Sequence, residues 1–167
     1  NSVTKAFEWQ FELKHKENFD YAFQFYLPLN DSLVIIRSQT GFLNIFNIRT
    51  GEEQLVYVNK KIPEQALTDR MILNCTADNN GGVWMGTAQM GIIHYDLSTG
   101  KLSQFIHEPG NSNSLPGNMI DRILVDENGV IWASCFGHGL VKMEPVNALF
   151  KTAVPVTAKN SFTEDQG

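Results

Sequence analysis

Cysteine is scarce. The 167 residues hold two, Cys75 and Cys135, at spacings that make no Cys-x-x-Cys pair, and both fit small buried side chains, with a disulfide open to them in an oxidising compartment. Long apolar runs are missing too: no stretch of eighteen apolar residues exists, and the first residues carry neither a basic segment nor an apolar one behind it. Without an initiator Met, the chain reads as cut from inside a longer protein. Positive charge is the minority, 13 Lys and Arg against 18 Asp and Glu, and the net charge of −5 argues against a nucleic-acid or anionic-membrane surface. Catalytic signatures are absent as well: there is no Gly-x-Ser-x-Gly, no His-Glu-x-x-His and no phosphate-binding loop. The four histidines, His15, His94, His107 and His138, stand at spacings that suit no helical ligand pair, so neither a metal nor a cofactor is expected.

What is present is a repeat. Met71, Ile72, Asp78, Asn80, Gly81, Trp84 and Gly91 recur forty-eight residues later, without a gap, as Met119, Ile120, Asp126, Asn128, Gly129, Trp132 and Gly139. Each recurring residue has a mechanical reason. Asp78 and Asp126 open Asp-x-x-Gly turns, where the carboxylate accepts backbone N–H bonds and Gly81 or Gly129 supplies a positive φ. Trp84 and Trp132 then fall a few residues into the following strand. There each ring is expected to be largely buried against a neighbouring sheet, with truncation to Ala costing roughly 3–5 kcal/mol. An all-strand period near 48 lies between those of the two commonest propeller repeats, so each copy reads as one four-stranded blade.

The rest of the chain follows the same period-two pattern. Phe7, Trp9, Phe11 and Leu13 alternate with polar residues, as do Phe19, Tyr21, Phe23 and Phe25 up to Pro28. Strands are expected at Ser32 to Arg37, Phe42 to Phe46, Gln54 to Val58, Leu102 to Ile106 and Lys151 to Val156. Aligning Gly41 with Gly91 yields a degenerate first copy, in which Val34 holds the Trp position and Pro28 the Asp position. The reading is therefore an all-β chain, a partial β-propeller of about three four-stranded blades, open and part of a larger propeller. Residues 1–58 hold the N-terminal strand and the degenerate first blade, 59–107 the second blade, 108–158 the third, and 159–167 a tail. The terminal blades are expected to expose apolar faces that drive self-association.

The run Asn113-Ser114-Leu115-Pro116-Gly117-Asn118, followed by Ile120, Ile123, Asp126, Gly129, Trp132 and Gly139-Leu140, resembles the two-component regulator propeller repeat. Trp84-Met85-Gly86-Thr87 with Gly91-Ile92-Ile93-His94-Tyr95-Asp96 matches it more fully. The resemblance covers residues 68 to 150, and residues 19 to 58 more loosely. Ala133-Ser134-Cys135 departs from the x-Gly-Thr that the family prefers. The structural motif residues are thus Asp78, Gly81, Trp84, Gly86, Gly91, Asp126, Gly129, Trp132 and Gly139. What the resemblance implies is a ligand-sensing, non-enzymatic region, the periplasmic part of an inner-membrane hybrid sensor whose histidine kinase lies outside this chain. Such sensors often recognise breakdown products of complex carbohydrates.

Candidate ligand residues come from the inter-strand turns at one end of the blades, because loops on a rigid scaffold carry function. Gln39, Gln89, Met90, Phe136 and His138 lie in these turns, with Arg70 and Asn118 at the starts of the inner strands. The expected partners are an oligosaccharide or other small ligand, the remaining blades of the same protein, and a second copy through the end blades. Neither nucleic acid nor membrane contact is expected. Two other classes fit the same repeat: a lyase-like propeller enzyme working with His and Glu at the axis, and a purely protein-docking propeller.

Overall fold

The computed structural model describes residues 25–37, 42–58, 71–144 and 149–152, and the period-two alternation becomes strand throughout them. Twelve strands form three four-stranded antiparallel sheets, each up-and-down in chain order. The first sheet comprises β1 (Phe25–Pro28), β2 (Leu33–Arg37), β3 (Phe42–Asn47) and β4 (Glu53–Tyr57). The second comprises β5 (Ile72–Ala77), β6 (Gly82–Thr87), β7 (Ile92–Asp96) and β8 (Leu102–Phe105). The third comprises β9 (Ile120–Val125), β10 (Ile131–Cys135), β11 (Gly139–Glu144) and β12 (Leu149–Thr152). The chain divides into two compact units, 1–65 with the first sheet and 66–167 with the other two. The strand expected at Phe7 to Leu13, the start of the run from Phe19, and the end of the strand expected at Lys151 to Val156 lie outside the described residues.

The turns follow from side-chain chemistry. Asp78 Oδ1 accepts the N–H groups of Asn80 at 2.8 Å and Gly82 at 2.7 Å, and Asp126 Oδ1 accepts those of Asn128 at 2.9 Å and Val130 at 3.0 Å. Gly81 and Gly129 complete these turns at φ of 81° and 76°, a region that a side chain rarely enters. Asn47 and Asp96 do the same for the turns into β4 and β8, each taking two backbone N–H bonds.

In the first unit, Ile36 and Phe46 pack with Val34 and Leu55 on one face of the sheet. Asn44, fully buried on that face, donates from Nδ2 to Glu53 Oε2 at 3.1 Å.

In the second unit the two sheets pack face to face. Trp84, Ile92 and Phe105 from one meet Ile123, Ile131, Ala133, Val141 and Met143 from the other. Alternation places all five partners on a single face of the third sheet. Three contacts draw the seam tight. Asn74 Oδ1 accepts the Ile123 N–H at 3.0 Å, and the Asn118 carbonyl accepts the Gly91 N–H at 2.9 Å. Gly86 lies so close to β9 that a Cβ there would stand 2.8 Å from the Ile120 carbonyl oxygen.

Trp84 is 7% exposed, as its position in the repeat implies, but Trp132 is only half-buried. The physical reason is the direction of the seam: Trp84 faces the sheet that follows its own, whereas Trp132, on the equivalent face of β9–β12, has no further sheet against it among the described residues.

Two glycines are needed for different reasons, which urea unfolding should separate. Gly86→Ala is expected to cost ~1–3 kcal/mol, because the added methyl meets backbone that has to move. Gly129→Val has open space around it, yet should destabilise by a further ~1–3 kcal/mol over Val130→Thr through strain at positive φ alone. Equal midpoint shifts for Gly129→Val and Val130→Thr would contradict the turn assignment.

Candidate functional site

Two groups of side chains gather at opposite ends of the second and third sheets. The first is structural. Trp84 Nε1–H donates to Asp78 Oδ2 at 3.1 Å, and Trp132 Nε1–H donates to Asp126 Oδ2 at 3.0 Å. The spacing of Asp and Trp therefore encodes a hydrogen bond across the hairpin, which reading the indole as an apolar filler misses. In the second sheet, His94 joins the pair. Its Nε2 lies 3.0 Å from Asp78 Oδ2, and its ring stands 4.2 Å from the Trp84 ring, centroid to centroid. In the third sheet the equivalent residue is Lys142, whose ammonium sits 5.7 Å above the Trp132 ring and 2.8 Å from Glu144.

These contacts set the carboxylates' acidity. Burial by itself raises the Asp78 pKa, but the N–H groups of Gly82 and Asn80 and the His94 imidazole outweigh it and hold the carboxyl below its ordinary value. The Trp132 indole, with the N–H groups of Val130 and Asn128 and the nearby Lys142 charge, does the same for Asp126. Asp96, held by the Ser98 hydroxyl and the Thr99 N–H, is pulled down to about 2.

The second group is the rim at the other end. In the third sheet, the turn Phe136–His138 is pinned when the Phe136 N–H donates to the Met119 carbonyl at 2.9 Å and the His138 N–H donates to the Cys135 carbonyl at 3.0 Å. Phe136 is left 69% exposed, with Met119 and Leu140 also exposed. His138 is exposed over Gly117, where a Cβ would come within 2.9 Å of its ring. The second sheet repeats the pin: the Ala88 N–H donates to the Met71 carbonyl at 2.9 Å, leaving Gln89 exposed.

Not all of the expected rim residues belong there. Met90 is 2% exposed, its N–H tied to Thr87 Oγ1 at 2.8 Å and its carbonyl accepting from Gln104 at 3.0 Å, so it packs inside the turn instead of lining the rim. Asn118 works as a tie, its side-chain oxygen accepting the His107 N–H at 2.7 Å while its carbonyl holds Gly91. Gln39 and Arg70 lie outside the described residues. Cys75 and Cys135 are buried thiols, and burial pushes the Cys135 pKa up. Among the described residues, no group of His, Cys, Asp and Glu is arranged to hold a metal ion, and no helix is long and apolar enough to cross a membrane.

No family model matches the sequence, and no curated protein matches it. Solved structures do. The extracellular domain of the hybrid two-component system BT3049 from B. thetaiotaomicron is similar over 85% of this chain, with a TM-score of 0.61 and 17% identity, and the match covers 19% of that domain. The extracellular domain of the one-component system BT4673 from the same organism matches 86% of this chain and 18% of its own, with a TM-score of 0.58 and 19% identity. The WD40 β-propeller domain of Doa1 matches 76% of this chain and 36% of its own, with a TM-score of 0.53 and 17% identity. The chain thus spans less than a fifth of each bacterial domain. Its fold is a partial β-propeller of three four-stranded blades, and the similar bacterial structures are extracellular domains of two-component and one-component systems.

Because folding lowers the pKa of Asp78, Asp96 and Asp126, their contribution to stability is fully present above the unfolded carboxylate value and is lost as pH falls through the folded one. For Asp96 the loss extends down to about pH 2. Asp78→Asn should destabilise the chain by ~1–3 kcal/mol at neutral pH and flatten the decline below about pH 4. A melting curve whose pH dependence in this range matches that of the unsubstituted chain would contradict the role given to Asp78.

Proposed function

We propose that this chain forms part of an extracytoplasmic ligand-sensing propeller, the periplasmic portion of an inner-membrane hybrid two-component protein. The observation that carries the reading is Phe136, a large aromatic side chain 69% exposed on a turn whose backbone is fixed at both ends. Exposing that ring to water is unfavourable unless something covers it, and a pinned turn presents it with little entropy left to lose on binding. His138 and Gln89 supply hydrogen-bonding groups on neighbouring turns, and Met119 and Leu140 add apolar surface. Such a mixture suits a ligand with both apolar and hydroxyl-bearing faces, such as a breakdown product of a complex carbohydrate. The chain itself acts by binding, and the signal passes to a histidine kinase module elsewhere in the full-length protein.

Calorimetric titration with a panel of oligosaccharides tests this. Binding by at least one of them is expected, with Phe136→Ala weakening it at least about tenfold while leaving the melting temperature unchanged. Binding that survives both Phe136→Ala and His138→Ala would place the ligand elsewhere.

A further inference from the structure

The same hairpin turn is built in two ways in the second and third sheets. In the second, Thr87 ends β6, and its hydroxyl accepts the Met90 N–H at 2.8 Å while donating to the Gly91 carbonyl at 2.8 Å. Tied twice to one side chain, the turn folds inward and Met90 is buried. Forty-eight residues on, Cys135 stands in the place of Thr87 and His138 in that of Met90. A thiol accepts hydrogen bonds weakly, and the His138 N–H goes to the Cys135 carbonyl at 3.0 Å instead. The chain bends there through Gly137, at a φ of 75°, where the second sheet has Gln89. Residue 138 is thereby turned outward, and His138 is exposed.

The outward ring has a seat. The Cys135 thiol, not engaged by the turn, donates to the carbonyl of Gly117 at 3.4 Å. A Cβ at Gly117 would stand 2.9 Å from Cδ2 of His138, 3.1 Å from its Nε2 and 3.2 Å from Cys135 Sγ. The Cδ2–Nε2 edge of the imidazole therefore lies against the space that a side chain would fill. Nδ1, across the ring from that edge, is the nitrogen turned away from Gly117. Gly117, Cys135 and His138 belong to the third sheet and the segment leading into it, so the seat is complete within the described residues.

We propose that Gly117 and Cys135 are positioning residues of the rim. Cys135 releases the turn and Gly117 leaves room for the ring, and together they hold His138 with Nδ1 presented to a hydroxyl of the bound ligand. The hydroxyl rests on the carbohydrate reading given above, whereas the seat of the imidazole does not. A side chain held in place before binding loses less entropy when it engages, so the seat contributes to affinity without touching the ligand.

Gly117 is not at positive φ, so Gly117→Ala adds no backbone strain and acts through the displaced ring. Nuclear magnetic resonance of the ligand-free chain tests the seat, with circular dichroism to verify folding. The His138 ring signals should move in Gly117→Ala and in Cys135→Thr, while those of His94 stay in place. Calorimetry with the oligosaccharide panel tests the consequence. Gly117→Ala should weaken binding at least about tenfold when His138 is present, and by less than about twofold in a chain that carries His138→Ala. Equal losses in the two backgrounds overturn the proposal, as do His138 signals unmoved by Gly117→Ala. Signals unmoved by Cys135→Thr overturn the part given to Cys135. A panel in which no oligosaccharide binds overturns the carbohydrate reading and the role of Nδ1 with it, and the ring signals then decide the seat by themselves.

Discussion

One carboxylate organises each of the two regular hairpins. Asp78 uses one oxygen to close the turn through two backbone N–H groups, and the other to hold the indole of Trp84 and the ring of His94. The side chain that shapes the turn therefore also aims the largest side chain of the next strand. Once the indole is fixed in direction, it covers the aliphatic face of the adjacent sheet, and the seam follows. Breaking the carboxylate's contacts loosens a turn and leaves a buried donor unpaired at the same time, so local and tertiary structure share one point of failure.

The two ends of the sheets divide the work. At the carboxylate end the polar groups are engaged with one another, which suits a structural role. At the other end, backbone bonds from Phe136 to Met119 and from Ala88 to Met71 hold the turns rigid while leaving several of their side chains in solvent. Rigid backbone with exposed side chains is the arrangement that binding requires, because little conformational entropy is lost when a ligand arrives.

Much of this was legible in the sequence because the repeat is written in residues with narrow physical meaning. Asp, Gly and Trp at fixed offsets name a turn, a positive φ and a packed ring, and period-two alternation locates the strands. The Asp–indole bond was not legible as such, since offsets do not say which atom of a ring faces a carboxylate. Met90 illustrates a second limit: it sits in a turn by position, yet it is inside by packing, where Thr87 and Gln104 fix its backbone. Trp132 illustrates a third, because burial of a repeat residue depends on the neighbouring unit and not on its own sequence. Asn118 carried no mark distinguishing a ligand-facing amide from one spent on the chain's own backbone.

Asn74 has a kinetic meaning as well. Every strand pairing within a sheet joins neighbours in the chain, so each hairpin closes a short loop and forms early at small entropic cost. The bond from Asn74 to the Ile123 N–H instead spans 49 residues and becomes available only after both sheets exist. The seam is then a late event in folding. Each sheet, until its neighbour is in place, carries a face of aliphatic and aromatic side chains open to whatever else is nearby.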